Sequence, residues 1–375
     1  MSSNISGLYL HIPFCTAKCN YCNFYSMPQS SPESQARYTK NIVRELSLRR
    51  SRDIALKTIY IGGGSPSVLP ERTFSSLIDD LGDITGGVTE STVEGNPETL
   101  TASFVHTVKR LPGARISLGI QSLDDAVLER IGRQARRADI HRALQLVRDG
   151  GINNLSVDFI IGLPGTDDDA VIRDMTSVIS DAAPEHISIY MLDLSGRKDL
   201  SDRWHDILPD DGETADRYRN AAAFLASAGY RRYELANFAK PGFESKHNQN
   251  YWVPGEYIGI GAAAAGYYNG IRYTNAADIK AYNTAIESGV LPPGSSETMD
   301  DEKCRTEFIF LSLRTAAGLD VHRYRELFND DPLKRFAPTL EKYRGCIVLN
   351  GNTIALNDNG FLFADEIAAE FMRLL

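Results

Sequence analysis

Three cysteines crowded into one short stretch constrain this chain more than any other feature of its sequence. Cys15, Cys19 and Cys22 are three of its five cysteines, and they follow a Cys-x3-Cys-x2-Cys spacing. Thiols spaced in this way cannot all lie on one face of a helix or strand, so the stretch is predicted to be a loop wrapped around a ligand. Thiolates favour zinc, copper(I) and iron–sulfur clusters. Three cysteines around a four-iron cluster leave one iron open to a small molecule.

Other interpretations of the three cysteines stay open at this point. A disulfide framework is disfavoured because the chain is long and its cysteines are few and odd in number. Zinc usually takes four protein ligands, and His11 could complete such a set. Cysteines that are merely buried are disfavoured because Lys18 shares the loop. The spacing also resembles the signature of radical S-adenosylmethionine (radical SAM) proteins, Cys-x3-Cys-x-aromatic-Cys, with Tyr21 as the aromatic residue.

Composition and charge narrow the class of protein. The 375 residues, 42% hydrophobic and 24% charged, are typical of a globular protein large enough for a barrel and an accessory domain. A net charge of −9 argues against a nucleic-acid partner. The chain has neither a bilayer-spanning apolar run nor the pattern of a secretory signal. We therefore expect a cytoplasmic protein, and the lack of a spanning segment leaves peripheral membrane contact open.

Strands and helices alternate along the first part of the chain. Six strand–helix units in a row, the first strand at Leu8–Ile12, predict a parallel α/β sheet with right-handed crossovers. The pattern alone does not separate a doubly wound sheet from a partial barrel. The unusual polar or glycine-rich groups each follow a strand, so they are expected on one rim of the sheet. From about Tyr230 the alternation stops, and helices with a terminal hairpin predict a smaller α+β domain. The expected boundaries are 1–235 and 236–375.

Two groups on that rim are candidates for binding a ligand. The run Gly62-Gly63-Gly64-Ser65-Pro66 is unusually glycine-rich, and glycine either lets a ligand approach the backbone or merely makes a tight turn. Asp158 interrupts an apolar strand, and a buried carboxylate needs hydrogen-bond donors. A ribose or an ammonium group would supply such donors. The competing interpretation is an ion pair with a neighbouring lysine or arginine.

Several motifs occur together in one order and spacing: His11-Ile-Pro-Phe-Cys, Gly-Gly-Gly-Ser-Pro-Ser, Glu94-x-Asn-Pro, Ser117-Leu-Gly-Ile-Gln-Ser, Asp158-x4-Leu-Pro-Gly and His247-Asn-x-x-Tyr-Trp252. Together they resemble the oxygen-independent coproporphyrinogen III oxidase family of radical SAM proteins, and within it the heme chaperone subgroup. The resemblance covers nearly the whole chain. It implies a three-quarter (β/α)6 TIM-type barrel and a [4Fe–4S] cluster on Cys15, Cys19 and Cys22. It also implies that S-adenosylmethionine is surrounded by Tyr9, Tyr21, Gly63, Gly64, Ser65, Glu94, Gln121, Arg133 and Asp158.

Departures from the family pattern bear on function. The oxidases carry a further cysteine two residues beyond the third, where this chain has Phe24. The His-Asn-x-x-Tyr-Trp motif is typical of the chaperone subgroup, and its histidine, His247, is a candidate heme ligand. His247 could instead form hydrogen bonds at the domain junction. The loop that starts at Met191 also departs from the usual pattern, and this loop is expected to face the substrate.

The leading expectation is a radical SAM heme chaperone that binds heme and delivers it to hemoproteins. The alternative is an oxygen-independent coproporphyrinogen III oxidase, an enzyme that would decarboxylate its substrate by radical chemistry, so the sequence leaves open whether the protein is an enzyme. Cys304 and Cys346 are expected to be core residues and not metal ligands.

Overall fold

A computed structural model describes residues 6–49 and 55–375 of the chain. The predicted first domain therefore begins with five residues that lie outside the described range. The strands of the structure, in chain order, are β1 (Gly7–Ile12), β2 (Phe14–Cys15), β3 (Met27–Pro28), β4 (Thr58–Gly63), β5 (Glu90–Gly95), β6 (Ala114–Gln121), β7 (Leu155–Ile161), β8 (His186–Met191), β9 (Arg231–Arg232), β10 (Asn237–Ala239), β11 (Tyr257–Ile260), β12 (Ala265–Tyr268), β13 (Ile271–Asn275), β14 (Gly294–Thr298), β15 (Leu319–Asp320), β16 (Ile347–Asn350) and β17 (Thr353–Leu356).

Helices follow most of the strands. They are α1 (Pro32–Arg49), α2 (Glu71–Asp80), α3 (Ala102–Val108), α4 (Asp125–Arg130), α5 (Arg137–Asp149), α6 (Ala170–Ala182), α7 (Lys198–Trp204), α8 (Asp211–Ser227), α9 (Lys246–Trp252), α10 (Ile279–Glu287), α11 (Asp301–Ser312), α12 (Val321–Phe328), α13 (Pro332–Arg335), α14 (Ala337–Lys342), α15 (Asp358–Leu362) and α16 (Ala364–Met372).

Six parallel strands form the centre of the fold. Strands β1, β4, β5, β6, β7 and β8 are hydrogen-bonded neighbours in that order. A doubly wound sheet reverses its strand order at a switch point. Here every crossover moves one strand further in the same direction, which is the winding of a barrel. The sheet ends at β9 on one side and β14 on the other, and these two edges are not paired with each other. The expected partial (β/α)6 barrel is confirmed.

The sheet also extends beyond β1 in a way that the sequence did not predict. Strand β11 pairs parallel with β1, and β12, β13 and β14 add antiparallel strands outside it. Strands β11 and β12 border the glycine- and alanine-rich run at residues 259–266, and β13 and β14 are short and largely polar, so none shows a clear apolar alternation. A Cβ atom at Gly259 would lie 1.8 Å from the Ala265 carbonyl oxygen, and one at Gly266 would lie 2.3 Å from the Tyr273 ring. Glycine is therefore required for close strand contact, and it erases the pattern by which strands are predicted.

A second hydrophobic core lies in the C-terminal part of the chain. Its buried members run from Phe308 to Phe371 and cover the hairpin of β16 and β17 with helices, as expected for a small α+β domain. The main core already includes Ile258, Tyr282 and Ile286. The boundary predicted between residues 235 and 236 thus lies earlier in the chain than the division between the two cores, because residues 237–298 extend the large sheet.

A buried carboxylate fastens α1 to this extension of the sheet. Glu45 is fully buried, and its Oε2 accepts a hydrogen bond of 2.8 Å from the Gly261 amide. Its Oε1 accepts hydrogen bonds of 2.9 Å from Asn275 Nδ2 and of 2.7 Å from Arg49 Nε. This network connects α1, which packs outside β1, with the loop after β11. It holds the extension in place beside the strand that leads into the cysteine loop.

We expect Glu45→Ala to lower the free energy of unfolding by about 3 kcal/mol, because it leaves a nearly buried arginine and two polar groups without their partner. Urea unfolding of the purified protein measures the change. The control is Arg173→Ala, which removes an exposed ion pair with Asp167 and is expected to cost less than about 1 kcal/mol. Equal effects of the two variants would contradict the role assigned to the buried network.

Candidate functional site

The inner face of the barrel is polar. Along β6, β7 and β8, side chains alternate between outward apolar residues that are fully buried against helices and inward residues that are polar or small. Barrel interiors of this type are more often filled by branched apolar side chains. Here the inward side chains leave a cavity of about 390 Å³, within the range of small-molecule sites. Inward members include Glu94, Ser117, Asp158, His186 and Ser188.

The cysteine loop lies at the mouth of this cavity. It follows β1, and β2 and β3 pair across its base. The amide of Cys22 donates to the carbonyl of Cys19 at 3.2 Å, which makes a tight turn between the second and third cysteines. All three thiols are partly exposed and line the cavity, together with Tyr21. The structure therefore brings the three predicted ligands to one place.

A zinc site completed by His11 is not supported by this geometry. His11 Nδ1 lies 2.9 Å from the Tyr9 hydroxyl, and its Nε2 lies 3.0 Å from the Tyr25 carbonyl oxygen. Both ring nitrogens are therefore engaged. Within residues 6–49 and 55–375, no three histidine, cysteine or acidic side chains are grouped closely enough to hold one metal ion. A four-iron cluster places each thiolate on a different iron, so its cysteine sulfurs stand farther apart than the ligands of a single ion.

The electrostatics of the loop act on a cluster site in two opposite directions. Burial, together with the neighbouring thiols, raises the pKa of Cys15 to about 12, and burial also raises the pKa of Cys22. Metal binding must therefore displace protons from these thiols. The guanidinium of Arg133 donates to Cys19 Sγ at 3.7 Å and places a positive charge beside the site. The three thiols, their spacing and this charge fit a [4Fe–4S] cluster, which Cys15, Cys19 and Cys22 would hold.

The glycine run after β4 packs closely under the cysteine loop. Gly63 has a φ of +105°, and a Cβ atom there would lie 2.2 Å from the His11 ring. A Cβ atom at Gly64 would collide with the backbone of Phe14 at 2.6 Å. Both glycines also line the cavity. Their lack of a side chain thus serves the packing of the loop, and it leaves their backbone accessible from the cavity.

Glu94 lies beside this glycine run. Its Oε2 accepts a hydrogen bond of 2.9 Å from the Gly63 amide, and its Oε1 accepts one of 2.6 Å from the Tyr60 hydroxyl. Burial raises the pKa of Glu94 to about 7, with a smaller contribution from the charge of Asp158, although the two hydrogen bonds favour the ionised form. A cation bound in the cavity would stabilise the carboxylate further.

Gln121 and Arg133 form the adjacent part of the wall, since β6 pairs directly with β5. The pairing of β6 with β7 is irregular between Gly119 and Gln121, and Gln121 has a φ of +70°, an uncommon conformation for a residue with a side chain. This local strain turns the amide towards the cavity. Arg133 is buried, and it donates to Asn96 Oδ1 at 2.9 Å and to the Gly119 carbonyl. Its Nε lacks a hydrogen-bond partner among the described residues, so it remains available to an acceptor on a ligand.

Asp158 faces the cavity with hydroxyl partners. Its Oδ2 accepts a hydrogen bond of 3.3 Å from Ser117 Oγ, and Ser188 is a second donor. Burial raises the pKa of Asp158, while Ser188 and the nearby charge of Arg115 act in the opposite direction. Arg115 thus acts on Asp158 through its charge, and no ion pair of the described residues joins the two side chains. The carboxylate lines the cavity, and its contact with a polar ligand stays a prediction.

Two of the predicted cosubstrate residues do not line the cavity. The hydroxyl of Tyr9 contacts His11 behind the cysteine loop. The hydroxyl of Ser65 is buried, lies 2.9 Å from Ser67 Oγ and accepts a hydrogen bond of 3.1 Å from the Asn96 amide. In this structure both residues support the walls of the site. Their direct contact with a cosubstrate stays a prediction.

His247 lies at the base of the barrel and is fully buried. Its Nδ1 is 2.8 Å from Thr58 Oγ1, and its Nε2 is 2.7 Å from the Tyr251 hydroxyl. Burial lowers the pKa of His247 to about 3, so the ring is neutral. Both nitrogens are occupied in this conformation, and the ring has no free lone pair for a heme iron. Its role as a heme ligand stays a prediction that requires these two hydrogen bonds to break.

The N-terminus of α9 closes the base of the barrel. Glu90 of β5 accepts hydrogen bonds from the Lys246 and His247 amides, each at 3.1 Å, and from Ser245 Oγ at 3.4 Å. The carboxylate thus neutralises the positive end of the helix. Asn248 of the same helix lines the floor of the cavity. The motif that contains His247 therefore supplies the floor of the site.

Several residues of the site were not predicted from the sequence. Asn96 and Tyr60 line the cavity and orient Arg133 and Glu94, respectively. Arg115 lies deeper, is buried, and has an Nε without a hydrogen-bond partner in the described part of the chain. Each occupies an inward position of a barrel strand or follows one directly. The alternation of inward and outward positions along the strands is the signal that could have identified Tyr60 and Arg115.

Comparisons with protein families agree with this geometry. The model for the radical SAM superfamily matches residues 9–178, and the model for the HemN C-terminal domain matches residues 300–363. The second match coincides with the second hydrophobic core. The first match covers the cysteine loop and five of the six parallel barrel strands, β1 and β4 to β7.

Similar proteins and structures extend over the whole chain. Heme chaperone HemW of Bacillus subtilis is 31% identical, with 98% of this chain and 99% of that protein aligned. Heme chaperone HemW of Lactococcus lactis is 32% identical, with 98% and 97% aligned. The solved structure of coproporphyrinogen III oxidase (HemN) from Escherichia coli superimposes with a TM-score of 0.85 at 20% identity, covering 100% of this chain and 92% of that one. That likeness confirms the fold. Among the described helices, none is both long and apolar enough to cross a bilayer.

Replacing any one of Cys15, Cys19 and Cys22 by serine is expected to remove most of the bound iron, because each thiolate would hold one iron of the cluster. Iron and sulfide content and visible absorption after anaerobic reconstitution provide the measurement. Cys304→Ser and Cys346→Ser are the matched controls and should keep full iron content, because neither residue lines the cavity. Wild-type protein that takes up one zinc and no iron would contradict the assignment.

Binding of S-adenosylmethionine is expected to weaken as the pH falls through the pKa of Glu94, about 7. The reason is that the cosubstrate carries cationic groups, and protonation removes the charge that attracts them. Below the pKa the effect should approach about tenfold per pH unit. Equilibrium binding at several pH values measures it. Glu94→Gln should abolish this pH dependence, whereas Glu129→Gln on the exposed face of α4 should leave it unchanged.

Proposed function

Because the chain belongs to the heme chaperone HemW family within the radical SAM superfamily, we propose that it binds heme and delivers it to hemoproteins. The observation that carries this proposal is the match, above 30% identity and along almost the full chain, to proteins that bear the name heme chaperone. Membership in the radical SAM superfamily implies a [4Fe–4S] cluster and S-adenosylmethionine. Bound together, these groups supply one-electron chemistry that the side chains cannot provide.

The residues of this chain would contribute binding and orientation. Cys15, Cys19 and Cys22 would hold the cluster at the mouth of the cavity. Below the cluster, the cosubstrate would lie among Tyr21, the glycine run and the polar walls that include Glu94, Gln121, Arg133 and Asp158. The charges of the walls suit a zwitterion, since Arg133 can bind a carboxylate and Glu94 an ammonium group. The buried, narrow cavity would exclude most water from that site.

Oxidation of coproporphyrinogen III is the alternative function, and Phe24 is the residue that argues against it. It occupies the position where the oxidases have a fourth cysteine, and it is 67% exposed at the mouth of the cavity. An aromatic ring at this position cannot ligate iron or donate a proton. It offers apolar area, which suits the binding of a flat macrocycle better than its chemical conversion.

The partners follow from the proposed function. Heme would be the cargo, and apo-hemoproteins would be the acceptors. A cytoplasmic location stays a prediction from the sequence. The peripheral membrane contact that the sequence left open has no support from the related proteins.

Heme transfer is the experiment that tests the proposal. Protein with a reconstituted cluster is loaded with heme and mixed with an apo-hemoprotein, and the spectrum of the acceptor is followed with time. We expect stoichiometric heme binding and transfer faster than from free heme. The Cys19→Ser variant, which lacks the cluster, separates the contribution of the cluster to transfer from its contribution to binding.

The same samples distinguish the alternative function. Coproporphyrinogen III, S-adenosylmethionine and a reductant are added under anaerobic conditions, and protoporphyrinogen and carbon dioxide are measured. No product is expected. Product formation without heme transfer would overturn the proposal and establish the oxidase.

A further inference from the structure

Exposed apolar side chains gather at the mouth of the cavity. We define the mouth surface by Lys18 and Phe24 of the cysteine loop and by Tyr190 and Met191 at the end of β8. Phe24 is 67% exposed, Tyr190 45% and Met191 38%, and all four residues line the same cavity. Large apolar side chains exposed at a concave site commonly mark a binding surface.

The two sides of the mouth surface are held together. Arg197, in the connection that follows β8, donates to the carbonyl of Asn20 in the cysteine loop. Asn20 in turn is fixed by its amide, which donates to the Ile131 carbonyl at 2.9 Å. On the other side, the Leu192 amide donates to the Ile161 carbonyl at 2.9 Å, so the backbone next to Met191 is still part of the sheet. The surface is therefore built on ordered backbone.

The mouth surface includes one side chain suited to bind the iron of heme. Histidine and methionine are common axial ligands. The histidines that lie at the cavity or behind its walls have both ring nitrogens engaged: His11 with Tyr9 and Tyr25, His186 with Ser156 and Tyr233, and His247 with Thr58 and Tyr251. Met191 is 38% exposed, and its thioether needs no deprotonation to bind iron. It is the neutral iron ligand that the mouth offers.

Charge at the mouth also matches a porphyrin. The ammonium group of Lys18 is exposed, donates to the Phe24 carbonyl at 3.5 Å, and forms no ion pair with the acidic groups of the described residues. Asp193 lines the same side of the cavity as Met191, and its carboxylate accepts a hydrogen bond of 2.8 Å from the Ser195 amide. Heme carries both of its propionates along one edge. Lys18 would attract that edge and Asp193 would repel it, so the two charges would fix the orientation of the macrocycle.

We propose that heme docks on the mouth surface, with Phe24 against the face of the porphyrin, Met191 Sδ on the iron and Lys18 at a propionate. The inference rests on the proposed function, and it places the cargo above the cluster and cosubstrate instead of at His247. Tyr190 faces the cavity from the inward side of β8, near Asp158 and Ser188, and would lie below the docked macrocycle. The open side of the macrocycle faces away from the protein, where an acceptor can reach the iron.

The test is heme binding followed by absorption and magnetic circular dichroism, using protein with its cluster in place. Wild type should show the sulfur-to-iron charge-transfer band of methionine-ligated ferric heme. Met191→Leu should lose this band and bind heme about tenfold more weakly, and Met191→His should restore affinity with a histidine-type spectrum. Met299→Leu is the matched control, since Met299 lies outside the cavity, and it should behave as wild type.

Two further variants test the docking position. Phe24→Ala should weaken heme binding. Phe363→Ala is the matched control and should bind heme as wild type does, because Phe363 is also exposed but does not line the cavity. His247→Ala should keep the methionine band. Two results would overturn this docking site. One is that His247→Ala loses the heme spectrum while Met191→Leu keeps it. The other is that Met191→Leu keeps the wild-type spectrum while Tyr190→Phe changes it, which would identify Tyr190 as the iron ligand. If wild type binds no heme at all, the proposed function itself fails, so the two failures are distinguishable.

Discussion

The structure depends on one constraint, which is that a barrel with a polar interior must satisfy every buried donor and acceptor. An unpaired polar group in a low-dielectric interior costs about 1–3 kcal/mol. The chain meets this requirement through pairs that link neighbouring strands, such as Tyr60 with Glu94 and Ser117 with Asp158. A few groups are left without partners, among them the Nε atoms of Arg133 and Arg115 and the Thr92 hydroxyl, and all three residues line the cavity. These three unpartnered groups therefore lie where a polar ligand would bind, whereas others, such as the hydroxyls of Tyr282 and Tyr324, lie outside the cavity.

The glycine run shows how packing and binding are coupled. Glycine at residues 63 and 64 is required because the cysteine loop passes within contact distance of the strand ends below it. In the same region, the Cys19 thiol lies next to Arg133 and the Gly63 amide donates to Glu94. A substitution in this run would therefore displace the cluster ligands and a cosubstrate wall together. The contacts of Gly63 and Gly64 therefore serve the packing of the fold and the shape of the site at the same time.

Much of the fold was predictable because it has strong local signals. Strands β1 and β4 to β8 are short, apolar on their outer side and separated by amphipathic helices, and their order along the chain is also their order in space. Strands β11 to β14 were missed because β11 and β12 border the glycine- and alanine-rich run at residues 259–266, and because β13 and β14 are short, largely polar and carry no apolar alternation. The thiols of the site were evident from their spacing. Asn96 was not, because it follows β5 and matters through its contact with Arg133, which is distant in sequence.

His247 illustrates a different limit of sequence interpretation. A histidine in a distinctive motif invites a role in ligand binding, yet here its ring bridges Thr58 and Tyr251, and its backbone amide binds Glu90. The motif holds α9 against the base of the barrel. Spacing alone does not reveal whether a polar side chain faces a ligand or another part of the protein.

The closure of the barrel base by α9 has a consequence for the order of events. Because α9 closes the base, a ligand that binds deep in the cavity must enter before any ligand that covers the mouth, and it must leave after that ligand. With heme docked at the mouth as proposed, the last molecule to enter would be the first to leave, and the cosubstrate below would exchange only after the heme has departed.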